Sequence, residues 1–240
     1  MAEPDQALVQ TPRFPGETVE YRRARDELLA EEAELRLKEE EVAEKRRSLP
    51  LGGAAPAYSL QEWDRDSASA RSVGLGDLFE PGRGTLLVYS HMFNPGPTGT
   101  PLETPCPLCT SMVDGLDGLL PHITQRLNVA IASKAPIERL VAHAQARGWR
   151  NARLLSTAGT SYNSDYGAEL SDSEQLPMAT VFVQHEGAVR HFWSAELLTA
   201  PTEPGQSPRH IDFMWPLWSV LDRTPEGRGS DWWPSLAYRS

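Results

Sequence analysis

The chain has very little cysteine: Cys106 and Cys109 are the only two among 240 residues. A framework of structural disulfides is thereby excluded. No run of about 18 apolar residues occurs anywhere, which excludes a membrane-spanning helix. Basic residues are also short, with 23 Lys and Arg against 33 Asp and Glu, a net charge of −10. A nucleic-acid surface depends on Lys and Arg that neutralise phosphates, so this balance argues against one; an acidic surface keeps a protein soluble. The opening Met1-Ala2-Glu3-Pro4-Asp5-Gln6 lacks the basic and apolar regions of a secretory signal. The expected compartment is the reducing cytoplasm, where a close cysteine pair is transient and catalytic.

That pair is what the chain is organised around. Thr85-Leu86-Leu87-Val88-Tyr89 reads as a buried strand, and Met112, Val113, Leu116, Leu119 and Leu120 recur at helical spacing after the cysteines. Cys106 is therefore expected at a helix N-terminus, where free N–H groups and the positive dipole end favour the thiolate. Cys109, one turn on, is placed to resolve a mixed disulfide. Three readings compete: a redox dithiol, a metal site, and two small apolar residues filling a helix end. Zinc wants four ligands, and no second Cys-x-x-Cys exists; His91 and His122 match no standard ligand spacing. Neither metal nor cofactor is expected. A peroxidase of the peroxiredoxin type wants Thr three residues before its reactive cysteine, whereas Glu103 precedes Cys106 and Cys106 precedes Cys109 at that offset.

Upstream, residues 1 to 16 read as a loose arm and Thr18 opens a long charged helix running to Ser48. Tyr21, Leu28, Leu35 and Val42 form a narrow apolar stripe on it, with Glu34–Lys38 and Glu41–Lys45 as i,i+4 pairs. Such a helix is expected to lie across the domain or against a second subunit, giving a possible homo-oligomer. Residues 49 to 56, rich in Pro and Gly, read as a linker, so the expected domains are 1–56 and 57–240. Residues 57 to 74 carry no assignable pattern. The stretch from Ser90 to Pro105, with its prolines and glycines, reads as an irregular loop beside the dithiol. His91 and Asp114 are the candidate proton acceptors there.

Further on, Leu127–Ser133 reads as a strand, Pro136 opens a helix that Gly148 closes, and Arg153–Ser156 suggests a third short strand. The polar segment Tyr162-Asn163-Ser164-Asp165-Tyr166-Gly167 reads as an ordered turn or an active-site loop. Residues 179–184 and 188–193 form a hairpin around Glu186-Gly187. Pro177 just before it is expected to be cis and to lie beside the dithiol, with the backbone of Leu176 left to pair with a substrate strand. Residues 208 to 222 carry helical spacing, and the tail Trp232-Trp233-Pro234-Ser235-Leu236-Ala237-Tyr238 is too aromatic to remain in water.

The order strand, Cys-x-x-Cys helix, strand, helix, strand, proline-led hairpin resembles the thioredoxin fold: α/β, with a central mixed sheet flanked by helices, here with an N-terminal long-helix extension. A closer resemblance is to a bacterial group of predicted dithiol–disulfide oxidoreductases, domain of unknown function 899. It rests on the Glu/Arg-rich helix ending Lys45-Arg46-Arg47-Ser48-Leu49-Pro50, on Leu75–Phe79, on Cys106 and Cys109, and on Ala132-Ser133-Lys134-Ala135-Pro136-Ile137. Gly148-Trp149, the Tyr162–Gly167 segment and Leu221–Arg228 complete it. The resemblance implies a thiol–disulfide oxidoreductase with Cys106 as nucleophile and Cys109 as resolving thiol, acting on a disulfide-bearing protein or a low-molecular-weight thiol. Pro107, Leu108, Leu176 and Pro177 would wall its substrate groove. The alternative is a non-catalytic binding or assembly module built on the long helix and the aromatic tail.

Overall fold

The structure is a computed structural model that describes residues 12–96, 102–171 and 174–196, together with 204, 220 and 236. The expected helix at 208–222 and the aromatic tail therefore lie outside the described residues. The chain divides into two compact units, Met1–Leu49 and Pro50–Ser240. Among the described residues no helix is long and apolar enough to cross a membrane.

The first unit is the long helix α1 (Val19–Arg47), opened by Thr18, whose hydroxyl accepts from the Tyr21 amide at 3.1 Å. Lys45, Arg46 and Arg47 crowd its last turn, where the dipole end is negative. Lys45 pairs with Glu41 as expected, but Lys38 turns to Glu41 (2.8 Å) and not to Glu34. Two ammonium groups hold the Glu41 carboxyl down at about 2. The stripe residues Tyr21, Leu28 and Leu35 are exposed.

The second unit begins earlier than the expected boundary at 57. The Gly52 amide donates to His191 O (2.9 Å), the His191 amide to Gly53 O (3.0 Å) and the Ala55 amide to Val189 O (2.8 Å), so residues 52–55 are paired structure and not a free linker. Glycine is required at 52 because a Cβ there would stand 2.9 Å from the His191 carbonyl oxygen. Residues 57–74, unreadable by pattern, form the hairpin β1 (Leu60–Asp64) and β2 (Ser69–Val73), turned by Asp64, whose carboxylate accepts from the Asp66 amide. A 3-10 turn, Leu75–Leu78, follows.

Next come β3 (Thr85–Ser90), the two-residue strands β4 (Phe93–Asn94) and β5 (Thr104–Pro105), helix α2 (Pro107–Asp117) and the single turn α3 (Leu120–Ile123). Strand β6 (Asn128–Ser133), helix α4 (Ile137–Arg147) and β7 (Leu154–Ser156) complete two crossover units that join parallel strands. Gly148 ends α4 at φ 75°, a left-handed cap that suits glycine. A turn of helix α5 (Tyr162–Asp165), a small hairpin β8 (Glu169–Ser171) and β9 (Glu174–Gln175), and the long hairpin β10 (Met178–His185) and β11 (Ala188–Ser194) close the described chain. Glu186 (φ 50°) and Gly187 (φ 76°) turn that last hairpin, both with the positive φ that matches strand twist.

One seven-stranded sheet results, in the order β11-β10-β3-β6-β7-β1-β2. β3, β6 and β7 run parallel, while β10 pairs antiparallel with β3 and β1 pairs antiparallel with β7. The run β11-β10-β3-β6, with the cysteine helix crossing from β3 to β6, is the thioredoxin-like arrangement, here widened by the β1–β2 hairpin. Alternation along β3 sorts the core into two faces. Leu86 and Val88 join Tyr58, Leu60, Leu78, Tyr162 and Phe182, whereas Tyr89 faces Cys106, Cys109 and the apolar sides of α2 and α4.

Asp117, at the end of α2, pins that helix to the entrance of β7. It is 8% exposed and its carboxylate accepts from the amides of Arg150 (3.0 Å), Asn151 (3.0 Å) and Ala152 (2.9 Å). Charge-assisted bonds of this kind are strong, and removing the acceptor leaves buried donors unpaired. Asp117→Ala is expected to cost about 3 kcal/mol, seen as a lower urea midpoint with an unchanged slope.

Candidate active site

The described ends of the route from β3 to Cys106 carry paired structure that their proline and glycine content hides. The His91 amide donates to Ala132 O at 2.7 Å and holds the end of β3 against β6. β4 then pairs antiparallel with β5, Phe93 opposite Pro105 and Asn94 opposite Thr104. The Gln175 side chain clamps the Phe93 backbone from both sides, accepting from its amide (3.3 Å) and donating to its carbonyl (3.0 Å). The Cys106 amide donates to Met92 O at 3.1 Å. The irregular loop expected from Ser90 to Pro105 is thus a clasp at its described ends, one that delivers Cys106 to the end of β3.

Cys106 is the N-cap of α2, in extended backbone (φ −66°, ψ 123°), with Pro107 in the first turn. Proline has no N–H, so the first donors the helix offers are the Leu108 and Cys109 amides. The two cysteines are free thiols and approach to 3.8 Å. They are 5% and 1% exposed. The Cys109 thiol, with help from the Cys109 and Leu108 amides, brings the Cys106 thiol down to about 6 against the opposing effect of burial. Cys109 moves the other way: burial first, and then the neighbouring Cys106, push its thiol well above the ordinary range. One proton is held between two sulfurs, with the negative charge at the helix end.

Behind Cys106 stands a polar string that sequence reading missed in part. The Thr110 hydroxyl donates to the Cys106 carbonyl at 2.9 Å, a bond from a helical threonine to the carbonyl four residues back. The same oxygen lies 3.2 Å from His91 Nε2 and 3.0 Å from His143 Nε2. Since the one hydroxyl proton goes to the carbonyl, both imidazoles present Nε2–H to it. His91, Phe93, His143 and Trp149 then pack ring against ring, with centroids 5.2 Å apart for His91–Phe93 and for His143–Trp149. The regular spacing of α4 hides His143, because a half-buried polar residue on an amphipathic helix carries no distinguishing signal.

Several expected roles change here. His91 is buried, and desolvation, reinforced by His143, lowers its imidazole to about 3, so it is neutral and no proton acceptor near pH 7. It reaches Cys106 through Thr110 at the carbonyl. Asp114 is spent elsewhere: its carboxylate accepts from Arg147 Nη2 (2.5 Å) and Nε (3.2 Å) and from Trp149 Nε1 (2.7 Å). The Leu176–Pro177 bond is trans, since no cis peptide occurs among the described residues. The Leu176 amide donates to Ala168 O at 2.9 Å and is not free for a substrate strand. Pro177 merely precedes the ladder, which starts with Met178 opposite Ser90, so its missing N–H costs nothing. Pro107, Leu108, Leu176 and Pro177 are each partly exposed. His122 sits exposed on α3, and no group of three His, Cys, Asp or Glu that could hold a metal occurs among the described residues. The Tyr162–Gly167 segment belongs to the other face of the sheet, where Tyr162 packs on Tyr58 and Phe182, and Asp165 accepts from the Tyr58 hydroxyl at 2.7 Å.

Residues 11–238 match the family described as "Bacterial protein of unknown function (DUF899)", and the chain belongs to that family. No curated protein sequence matches. Solved structures with similar folds include a reduced 2-Cys peroxiredoxin of Plasmodium vivax (23% identity, TM-score 0.45, 68% of this chain and 95% of that one). The peroxidoxin BcpB of Mycobacterium tuberculosis is also similar (15%, TM-score 0.43, 72% and 98%). So is a putative protein disulfide isomerase of Bacteroides thetaiotaomicron (15%, TM-score 0.41, 73% and 92%). Each is a distant likeness that says nothing of this chain's chemistry.

Two outcomes follow from this geometry. The rate of Cys106 alkylation in a Cys109-containing chain should rise through a midpoint near pH 6, where the lowered thiol titrates, and not near that of an ordinary cysteine. Thr110→Val should cost about 2 kcal/mol in urea unfolding, because it strands the Cys106 carbonyl and two imidazole N–H groups in a buried site.

Proposed function

We propose that this DUF899 protein is a thiol–disulfide oxidoreductase. The observation that carries the reading is the asymmetric dithiol: Cys106 at a helix N-terminus with its thiol lowered to about 6, and Cys109 beside it as proton donor. In the forward sense the Cys106 thiolate attacks a substrate disulfide, one sulfur leaves as thiolate and takes a proton from water, and a mixed disulfide forms at Cys106. Cys109 then attacks Cys106 Sγ, its proton passes to the departing thiolate, and the Cys106–Cys109 disulfide remains. Two electrons move from the dithiol to the substrate.

The substrate class is a disulfide-bearing protein or a low-molecular-weight disulfide. Pro107 and Leu108 on the helix, with the Leu176 and Pro177 side chains, are the partly exposed apolar groups assigned to hold it. A reducing compartment such as the cytoplasm suits a pair kept as free thiols. Glutathione disulfide tests the scheme. The wild-type chain should end as an intramolecular disulfide with two glutathiones released, whereas Cys109→Ser should stop as a stable mixed disulfide and Cys106→Ser should not react at a comparable rate. Equal reaction of both single variants would overturn the assignment of roles.

A second reading is favoured by a separate observation, the exposed stripe Tyr21, Leu28 and Leu35 on α1, which are 49%, 48% and 59% exposed. It makes α1 an assembly surface, for another copy of this chain. The full chain should then elute as an oligomer, and Leu28→Glu with Leu35→Glu should shift it to monomer without loss of thiol reactivity. A wild-type monomer removes this reading.

A further inference from the structure

Tyr89 closes β3 on the face that meets the dithiol. Its side chain is 0% exposed, and its hydroxyl has no hydrogen-bond partner among the described residues. The phenol packs in the same core cluster as the Cys109 thiol and is close enough to favour its thiolate, yet it makes no hydrogen bond of ordinary geometry there. Phenylalanine would fill the same volume and spare the fold an orphan donor, since a buried hydroxyl left unpaired is destabilising. The hydroxyl therefore calls for an acceptor that exists in some other state of this site.

The chemistry of the pair supplies one. In the free dithiol, Cys109 is the protonated sulfur and its proton points to Cys106, so it is at best a weak acceptor. Once Cys106 is tied up in a mixed disulfide, the charge at the helix end is gone and Cys109 is the sulfur that must become an anion. We infer that the Tyr89 hydroxyl donates a hydrogen bond to the Cys109 thiolate during resolution, making Tyr89 a catalytic residue of the second half-reaction. This rests on the oxidoreductase reading. The Tyr89 proton stays on oxygen throughout, as burial beside two thiols pushes its own ionisation up. The Cys109 proton leaves with the departing thiolate, the Cys106–substrate S–S bond breaks, and the Cys106–Cys109 S–S bond forms.

No charged side chain among those described competes for this place. His91, on the same face of the chain two residues on, is neutral and directed through Nε2 to Thr110, and Asp114 is held by Arg147 and Trp149. Tyr89 is the hydroxyl at the resolving sulfur, and the first half-reaction makes no use of it.

The test uses the full chain with Tyr89→Phe. With glutathione disulfide, formation of the mixed disulfide should keep its rate, while release of the second glutathione should slow about tenfold, the worth of a hydrogen bond to a charged acceptor. In a Cys106→Ser background, which isolates the second sulfur, ultraviolet titration of the Cys109 thiolate should show its midpoint raised by about one pH unit when Tyr89→Phe is added. A merely structural tyrosine would leave that midpoint unmoved, and an unmoved midpoint overturns the inference. If Tyr89→Phe fails to fold, fluorotyrosine at position 89 keeps the shape and strengthens the donor; release should then quicken and the midpoint fall, and no change in either overturns the proposal. Failure of the wild-type chain to form any mixed disulfide would defeat the oxidoreductase reading itself, and the Cys109 titration would still judge the hydrogen bond.

Discussion

The site depends on keeping one negative charge on a sulfur that is almost out of water. A buried anion is tolerated only where donors replace its hydration. Cys106 has three: the Cys109 thiol, which contributes most, and the Cys109 and Leu108 amides. Each follows from the spacing. A second cysteine three residues on falls one helical turn away, and a proline in the first turn removes the one amide that would otherwise precede them. The clasp of β4 and β5, the bond from the Cys106 amide to Met92 O and the Thr110 bond to the Cys106 carbonyl all restrain the same residue. They make the N-terminus of α2 rigid enough for those donors to stay aimed.

What could be read in the chain was what short-range rules govern. The strand before Cys106, the helix after it, the Pro136–Gly148 helix and the Glu186-Gly187 turn each carry their own signal within a few residues. The β1–β2 hairpin did not, because Ser69–Ser72 is exposed on both faces and has no alternation to show. Two-residue strands such as β4 and β5 have no period at all. The isomer at Pro177 is set by what surrounds it: the Leu176 amide finds Ala168 O, and the ladder to β3 begins one residue later. Of the site, Cys106 and Cys109 were legible from spacing, and Thr110 was within reach, since a threonine four residues after a helix cap can bond its carbonyl. His143, Gln175 and Tyr89 come from elements distant in sequence, and only the packing of α4, β9 and β3 shows what they touch.

His91 is instructive because it was the natural choice for a base. Its place at the end of β3, between Ala132 O and the ring cluster, strips it of water, and an imidazole without water or a carboxylate partner does not take a proton at neutral pH. The other candidate from the sequence, Asp114, acts on His143 and is held by Arg147 and the Trp149 indole. Both imidazoles serve as neutral donors to Thr110, which makes them part of the mounting of Cys106.

With His91 buried and neutral and Asp114 held by Arg147, the order of events in the proposed dithiol reaction lies in the pair itself. Cys106 is the sulfur favoured to carry the charge and Cys109 the proton, so the outer, helix-capping sulfur would attack first. That attack would consume the charge that raises the Cys109 thiol through their proximity. The barrier to ionising the second sulfur would thus fall only after the first had formed its bond. A sequential dithiol reaction then needs no switch other than its own electrostatics, and the buried position of Cys109, 1% exposed, keeps an outside disulfide from reaching it out of turn.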